Sequence, residues 1–86
     1  MKEIRWSRLK SERLKRTRGV SFKELLGSEL VDIIRHPGRD NQNMFLFKYK
    51  GYVWAVPYVK AADHLFLKTL FPSRKYTKLY NRGDMP

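Results

Sequence analysis

Apolar positions are sparse over the first twenty residues and dense further on, and ten of the twelve aromatic rings fall between Phe45 and Tyr80. Lys2 to Trp6 reads as a short strand. Ser7 then supplies an N-cap for a helix over Arg8–Arg18, a run of good helix formers without Pro or Gly, and Gly19 suits the C′ position. The apolar stripe on this helix is thin, Leu9 and Leu14, with Trp6 just before it. Most of its surface is Arg or Lys, so it needs a few anchors or an anionic partner to stay docked.

A second helix has a sharper signature. Ser21-x-x-Glu24 is a capping box, and Val20 and Leu25 occupy the two positions of a hydrophobic staple. Phe22, Leu25 and Leu26 form one apolar face, and Gly27 ends it. By spacing Leu30–Ile34 also fits a continuation of the helix, but the β-branched residues Val31, Ile33 and Ile34 after Gly27 favour a strand. His36–Gln42 is turn material, with Pro37, Gly38, Asp40 and Asn41. Met44–Tyr49 and Tyr52–Val59 read as strands joined by a tight Lys50-Gly51 connection, in which Gly supplies a positive φ. After a turn at Ala61–Asp63, His64–Phe71 is the third strand of this meander. Pro57 lacks an N–H and belongs near a strand end or at a bulge. Pro72 and Ser73 open a last helix to about Asn81, with Tyr76, Leu79 and Tyr80 on its apolar face, and Arg82–Pro86 should fray. The order β-α-α-β-β-β-β-α predicts a single α+β domain over residues 1–86, a twisted antiparallel sheet with N-terminal helices and a C-terminal helix packed on it.

Composition adds one strong fact. The 86 residues carry 19 Lys and Arg against 8 Asp and Glu, a formal net charge of +11. Residues 1–20 contribute +6, residues 21–59 only +1 and residues 60–86 +4. A neutral apolar middle with cationic ends favours polyanionic partners, and ends that meet would form one cationic face. Cys is absent, which excludes disulfides and thiolate metal sites. No run reaches the roughly 18 apolar residues of a membrane span, and the first twenty residues lack the apolar core of a secretory signal. A cytoplasmic protein that does not bind membranes is expected.

Metal-free RNA cleavage uses the 2′-OH as nucleophile. It needs a proton acceptor, cations for the charge that builds on phosphorus, and a proton donor for the leaving oxygen. Lys68 stands in an otherwise apolar segment, on the face of His64, Phe66 and Leu70 if alternation holds. Arg74 and Lys75 sit at a helix start, where cations oppose the helix dipole. That is unfavourable locally unless an anion binds, or unless Arg74 pairs with an acid such as Asp32 or Glu24. His36 and His64 are the only imidazoles. Neither has metal-ligand spacing, and His36 is the better candidate for proton transfer. Most aromatic rings are needed for the core. Tyr76 and Tyr80, beside Lys78, are the best placed to meet a ligand. No phosphate-binding glycine loop or serine-hydrolase motif occurs, and no cofactor is expected.

Trp6, Lys10, Gly19, Val20, Ser21, Phe22 and Glu24 follow the spacing W-x3-K-x8-G-[VI]-S-F-x-E. This resembles the opening of BrnT-type toxins of bacterial toxin–antitoxin modules. The segment from Phe66 to Lys75 resembles the closing strand and helix start of a BrnT-like branch, and Gly51–Val59 its middle strand. Three differences stand out: Ser7 where the family usually has Asp, Leu14 where it has Asn, and Thr17-Arg18 where it has Lys-His. The resemblance implies a RelE-like fold and a ribonuclease toxin that inhibits translation. It also implies a cognate antitoxin that binds DNA and neutralises the toxin through an acidic or partly disordered segment, in a hetero-oligomer. Lys10 and Arg74 match the family's basic positions, and Lys68 matches the branch.

Together the basic residues and the resemblance lead to the expectation of a metal-independent endoribonuclease acting on mRNA, alone or on the ribosome. Arg74, Lys68 and His36 would be its catalytic residues, and Lys10, Arg18, Lys75, Tyr76, Lys78 and Tyr80 its RNA contacts. A non-catalytic nucleic-acid-binding module accounts for the charge equally well. A toxin of the same scaffold that blocks a protein target is the third reading.

Overall fold

A computed structural model describes residues 2–36, 38 and 42–84. Strand β1 (Glu3–Trp6) leads into helix α1 (Arg8–Arg18) and helix α2 (Phe22–Leu26). Four further strands, β2 (Glu29–Arg35), β3 (Asn43–Tyr49), β4 (Tyr52–Lys60) and β5 (His64–Leu67), precede the two-residue β6 (Phe71–Pro72) and helix α3 (Arg74–Arg82). The sheet runs β1-β5-β4-β3-β2, with β6 also paired to β4. Of the expected turn residues, Gly38 is described, while Pro37, Asp40 and Asn41 lie outside the described residues.

The local signals act as expected in the helices. Ser7 accepts from the Lys10 N–H at 3.2 Å, and Gly19 closes α1 with φ 79°. In α2 the Ser21 hydroxyl accepts from the Glu24 N–H at 3.2 Å, and the Glu24 carboxylate accepts from the Ser21 N–H at 3.0 Å. Val20 and Leu25 are both buried beside this box. Ser21→Ala is expected to lower stability by about 1 kcal/mol, measured as a drop in the urea midpoint at unchanged slope. An unchanged midpoint would mean that the box contributes nothing to holding α2.

The sheet has a layer on each side. Phe45, Phe47, Trp54, Val56 and Tyr58 point to one face, where they pack with Leu14 of α1 and Val20, Phe22 and Leu25 of the α2 segment. Met44, Leu46, Val53 and Ala55 point to the other, where Tyr76 and Tyr80 of α3 cover them. Helices α1 and α3 therefore lie on opposite faces. Buried Ser11 ties the first layer together by accepting from the Phe22 N–H at 3.2 Å.

Three expectations need correction. The sheet is mixed, not antiparallel, because β1 pairs parallel to β5, Glu3 opposite His64 and Trp6 opposite Leu67. This places the N-terminal strand at a sheet edge formed by residues some sixty positions later. The segment His64–Phe71 is not one strand. β4 pairs with β5 from Tyr58 to Lys60 and with β6 at Trp54 and Ala55, and Lys68–Leu70 between them is irregular. Pro57 explains the gap. The N–H and C=O of a residue in an antiparallel strand face the same neighbour. The Pro57 carbonyl accepts from the Lys68 N–H at 2.8 Å, so its missing donor faces the same side, and the ladder lapses there. Alternation consequently fails: Leu70 is buried in the α1-side core while Lys68 is exposed. Finally, Arg82, assigned above to the fraying tail, belongs to α3. Gly83, with φ 76°, caps α3 by donating to the Tyr80 carbonyl, and the Asp84 N–H reaches the Leu79 carbonyl at 2.9 Å. Met85 and Pro86 lie outside the described residues.

Candidate functional site

The irregular segment opposite Pro57 forms part of a small groove. Lys10, His36, Gln42, Pro57, Lys68, Thr69 and Phe71 line it, around a volume of about 220 Å³. Lys10 comes from the first turn of α1, His36 from the end of β2, and Lys68 and Thr69 from the break between β5 and β6. Three residues singled out in the sequence, Lys10, His36 and Lys68, thus meet in one place. Gln42 and Thr69 join them without any sequence signal: the Gln42 carbonyl accepts from the His36 N–H at 2.8 Å at the open end of the β2–β3 pair, and Thr69 lies in the break opposite Pro57. Two cations beside a hydroxyl, an amide and an imidazole fit a phosphodiester.

His36 is constrained. Its Nδ1 accepts from the Gly38 N–H at 3.0 Å, which puts the proton of a neutral ring on Nε2. The ring therefore offers an Nε2–H donor. To act as a doubly protonated acid it must give up the Gly38 contact. His64 is engaged at the turn between β4 and β5, where its Nδ1 lies 2.8 Å from the Asp63 carboxylate and lowers the pKa of that acid.

Arg18 is an anchor rather than a free cation. Its guanidinium donates to the Leu70 carbonyl, and so fastens the C-terminal end of α1 to the irregular segment just beyond Lys68 and Thr69. Arg74 stands elsewhere. With Gly51, Tyr52, Thr77, Lys78 and Asn81 it lines a groove of about 510 Å³ between the β3–β4 hairpin and α3. The Ser73 N–H donates to the Val53 carbonyl, whereas Lys68 is opposite Pro57. Four residues of extended strand, roughly 13 Å at 3.3 Å per residue, separate these points. Lys10 and Arg74 also belong to helices on opposite faces of the sheet. The expected shared cationic cradle is therefore divided into two grooves. Arg74 forms no ion pair with Asp32, Glu24 or any other described residue.

Tyr76 and Tyr80 are half-buried against Met44, Leu46, Val53 and Ala55, so their rings serve mainly as the α3 side of the core. The Lys75 ammonium lies 5.4 Å from the centre of the Tyr76 ring, and Lys48 lies 4.5 Å from that of Tyr80. Tyr52, by contrast, is 49% exposed, and the sequence pattern does not distinguish it from core rings.

A third groove, of about 670 Å³, runs between α1 and α2 past Trp6, Ser11, Lys15 and Glu24. Glu24 is the electrostatic centre of that wall. It accepts from Lys15 at 2.8 Å, from the Ser21 N–H and from the Tyr49 hydroxyl at 2.9 Å. These contacts, led by Lys15, lower its pKa from 4.5 to about 2. A carboxylate whose pKa falls on folding adds stability above its unfolded value and loses it as pH drops through the folded value. The melting temperature should hence decline between about pH 4.5 and 2, and Glu24→Gln should flatten that part of the profile. An identical slope in the variant would remove Glu24 as its source.

Among the described residues no group of three or more His, Cys, Asp or Glu stands close enough to hold a metal ion, and no helix is long and apolar enough to cross a membrane. No known protein family, curated protein or solved structure matches this chain.

Proposed function

We propose that the protein is the toxin of a type II toxin–antitoxin module and that it cleaves RNA in the Lys10–His36–Lys68 groove. The observation that carries this reading is the meeting of those three side chains, from three separate elements, around the gap that Pro57 leaves in the sheet. In the proposed reaction the 2′-oxygen attacks the adjacent phosphorus and gives its proton to water. The bond from phosphorus to the 5′-oxygen breaks, that oxygen takes a proton from water, and a 2′,3′-cyclic phosphate and a 5′-hydroxyl remain. Lys10 and Lys68 offset the charge that grows on the phosphoryl oxygens. The His36 Nε2–H donates to one of them. The net charge of +11 draws the polyanion in and weakens its binding steeply with salt.

The reading includes a cytoplasmic setting and a neutralising antitoxin with an acidic segment, drawn to the same cationic surface. The test is to incubate the purified protein with end-labelled RNA in a chelating buffer and analyse the product ends. Cyclic phosphate and 5′-hydroxyl termini are expected. Intact RNA that is nevertheless bound would overturn cleavage and leave a nucleic-acid-binding module, which accounts for the charge equally well.

A further inference from the structure

The groove between the β3–β4 hairpin and α3 takes no part in the cleavage chemistry just described, yet it has the makings of a binding site. We infer that it binds a single-stranded segment of RNA, with a base stacked on Tyr52 and the flanking phosphates on Arg74 and Lys78. The choice of RNA as ligand rests on the proposed function; the geometry of the groove does not.

One wall is the tip of the hairpin. Lys50 and Gly51 have φ of 50° and 82°, the doubly left-handed turn that suits the twist of a two-residue hairpin. Tyr49 and Tyr52 are the pair that closes it. Tyr52 thus stands on a short turn, with its ring half exposed. The other wall is the outer face of α3, where Arg74, Lys78 and Asn81 fall at helical spacings of four and three residues. Both cations are exposed or partly so, and neither forms an ion pair with a described residue. The floor is pinned. The Thr77 hydroxyl accepts from the Val53 N–H at 2.9 Å and donates to the Ser73 carbonyl at 2.6 Å, while the Ser73 N–H donates to the Val53 carbonyl. The distance between ring and cations is thereby held by hydrogen bonds between α3 and β4.

An exposed ring beside paired cations is the arrangement by which single-stranded nucleic acid is held without strict sequence preference. No acidic side chain lines this groove, so nothing in it repels phosphate. Asn81 adds an amide able to donate to and accept from a base edge.

The test uses an eight-nucleotide 2′-O-methyl oligouridylate, which lacks the attacking hydroxyl, with binding followed by anisotropy across a salt series. Tyr52→Ala should weaken binding about tenfold, and Tyr52→Phe, which keeps the ring, should bind within about twofold of the parent. The double variant Arg74→Ala/Lys78→Ala should lower the slope of log affinity against log salt by about 1.4, or ~0.7 per phosphate contact on a single strand. Unchanged affinity for Tyr52→Ala, or an unchanged salt slope for the double variant, would overturn the site. So would capture of a polyglutamate peptide in preference to the oligomer. Unmodified RNA run in parallel separates the two proposals: binding with these losses but no cleavage keeps this site and removes the ribonuclease. Cleavage with no effect of either variant on binding does the reverse.

Discussion

Under the proposed function, Lys68→Ala is expected to slow RNA cleavage by about 10²–10³-fold, the usual cost of removing one group that stabilises transition-state charge. The fold should survive. Lys68 is exposed and lies beyond the end of β5, and it is its backbone N–H that bonds to Pro57. Every residue except proline keeps that donor. Lys68→Arg restores the charge with a wider, planar head group and should recover only part of the rate. Single-turnover cleavage beside a thermal melt checks both points. A variant that melts like the parent and cleaves at the parental rate would take the reaction out of this groove. Lys10→Ala, at the opposite wall, should act in the same direction.

Phe22→Ala is expected to cost about 3–5 kcal/mol. Phe22 has no exposed surface, and its ring centre lies 6.2 Å from that of Trp6. Its backbone N–H is also the donor to Ser11, so it joins α2 to both α1 and the sheet. Domains are stable by roughly 0.05–0.15 kcal/mol per residue, which for a chain of this size is about 4–13 kcal/mol, so the loss removes a large share of it. The urea midpoint and the melting temperature should fall steeply, as read by far-ultraviolet circular dichroism. Phe22→Leu, which leaves a smaller void, should retain a cooperative transition. A loss below about 1 kcal/mol for the alanine variant would mean that this face re-packs far more freely than native interiors do.

Much of this architecture is legible in short stretches of sequence. Both N-terminal helices declare their starts through Ser7 and Ser21 and their ends through Gly19 and Gly27, since capping is decided within a few residues. The hairpin is equally local, because Gly51 readily takes a positive φ, although the positive φ of Lys50 is not a preference of lysine. What stays hidden in the sequence depends on partners far apart in the chain. Nothing in Glu3–Trp6 says that its neighbour will be His64–Leu67, or that the two run in the same direction. Pro57 is visible as an irregularity, but its effect falls on Lys68–Leu70, which it faces. That displacement shapes the site: it takes Lys68 off the alternating pattern, leaves Thr69 in the irregular segment and turns Leu70 into the core, while Gln42 arrives through its pairing with His36. Along the chain Arg18 is one cation among many, and only the nearby Leu70 carbonyl gives it a definite role. Charge alone groups Arg74 with Lys10, although the two helices that carry them approach the sheet from opposite sides.

The parallel pairing of β1 with β5 also bears on how the molecule is made. Synthesis delivers Glu3–Trp6 first, but the backbone groups it must meet follow some sixty residues later. Throughout that interval β1 waits without the edge on which it comes to rest. Contacts that span so much of a chain form slowly, after the nearer hairpin has assembled. The nascent polypeptide thus exposes its most cationic stretch longest, before folding is complete.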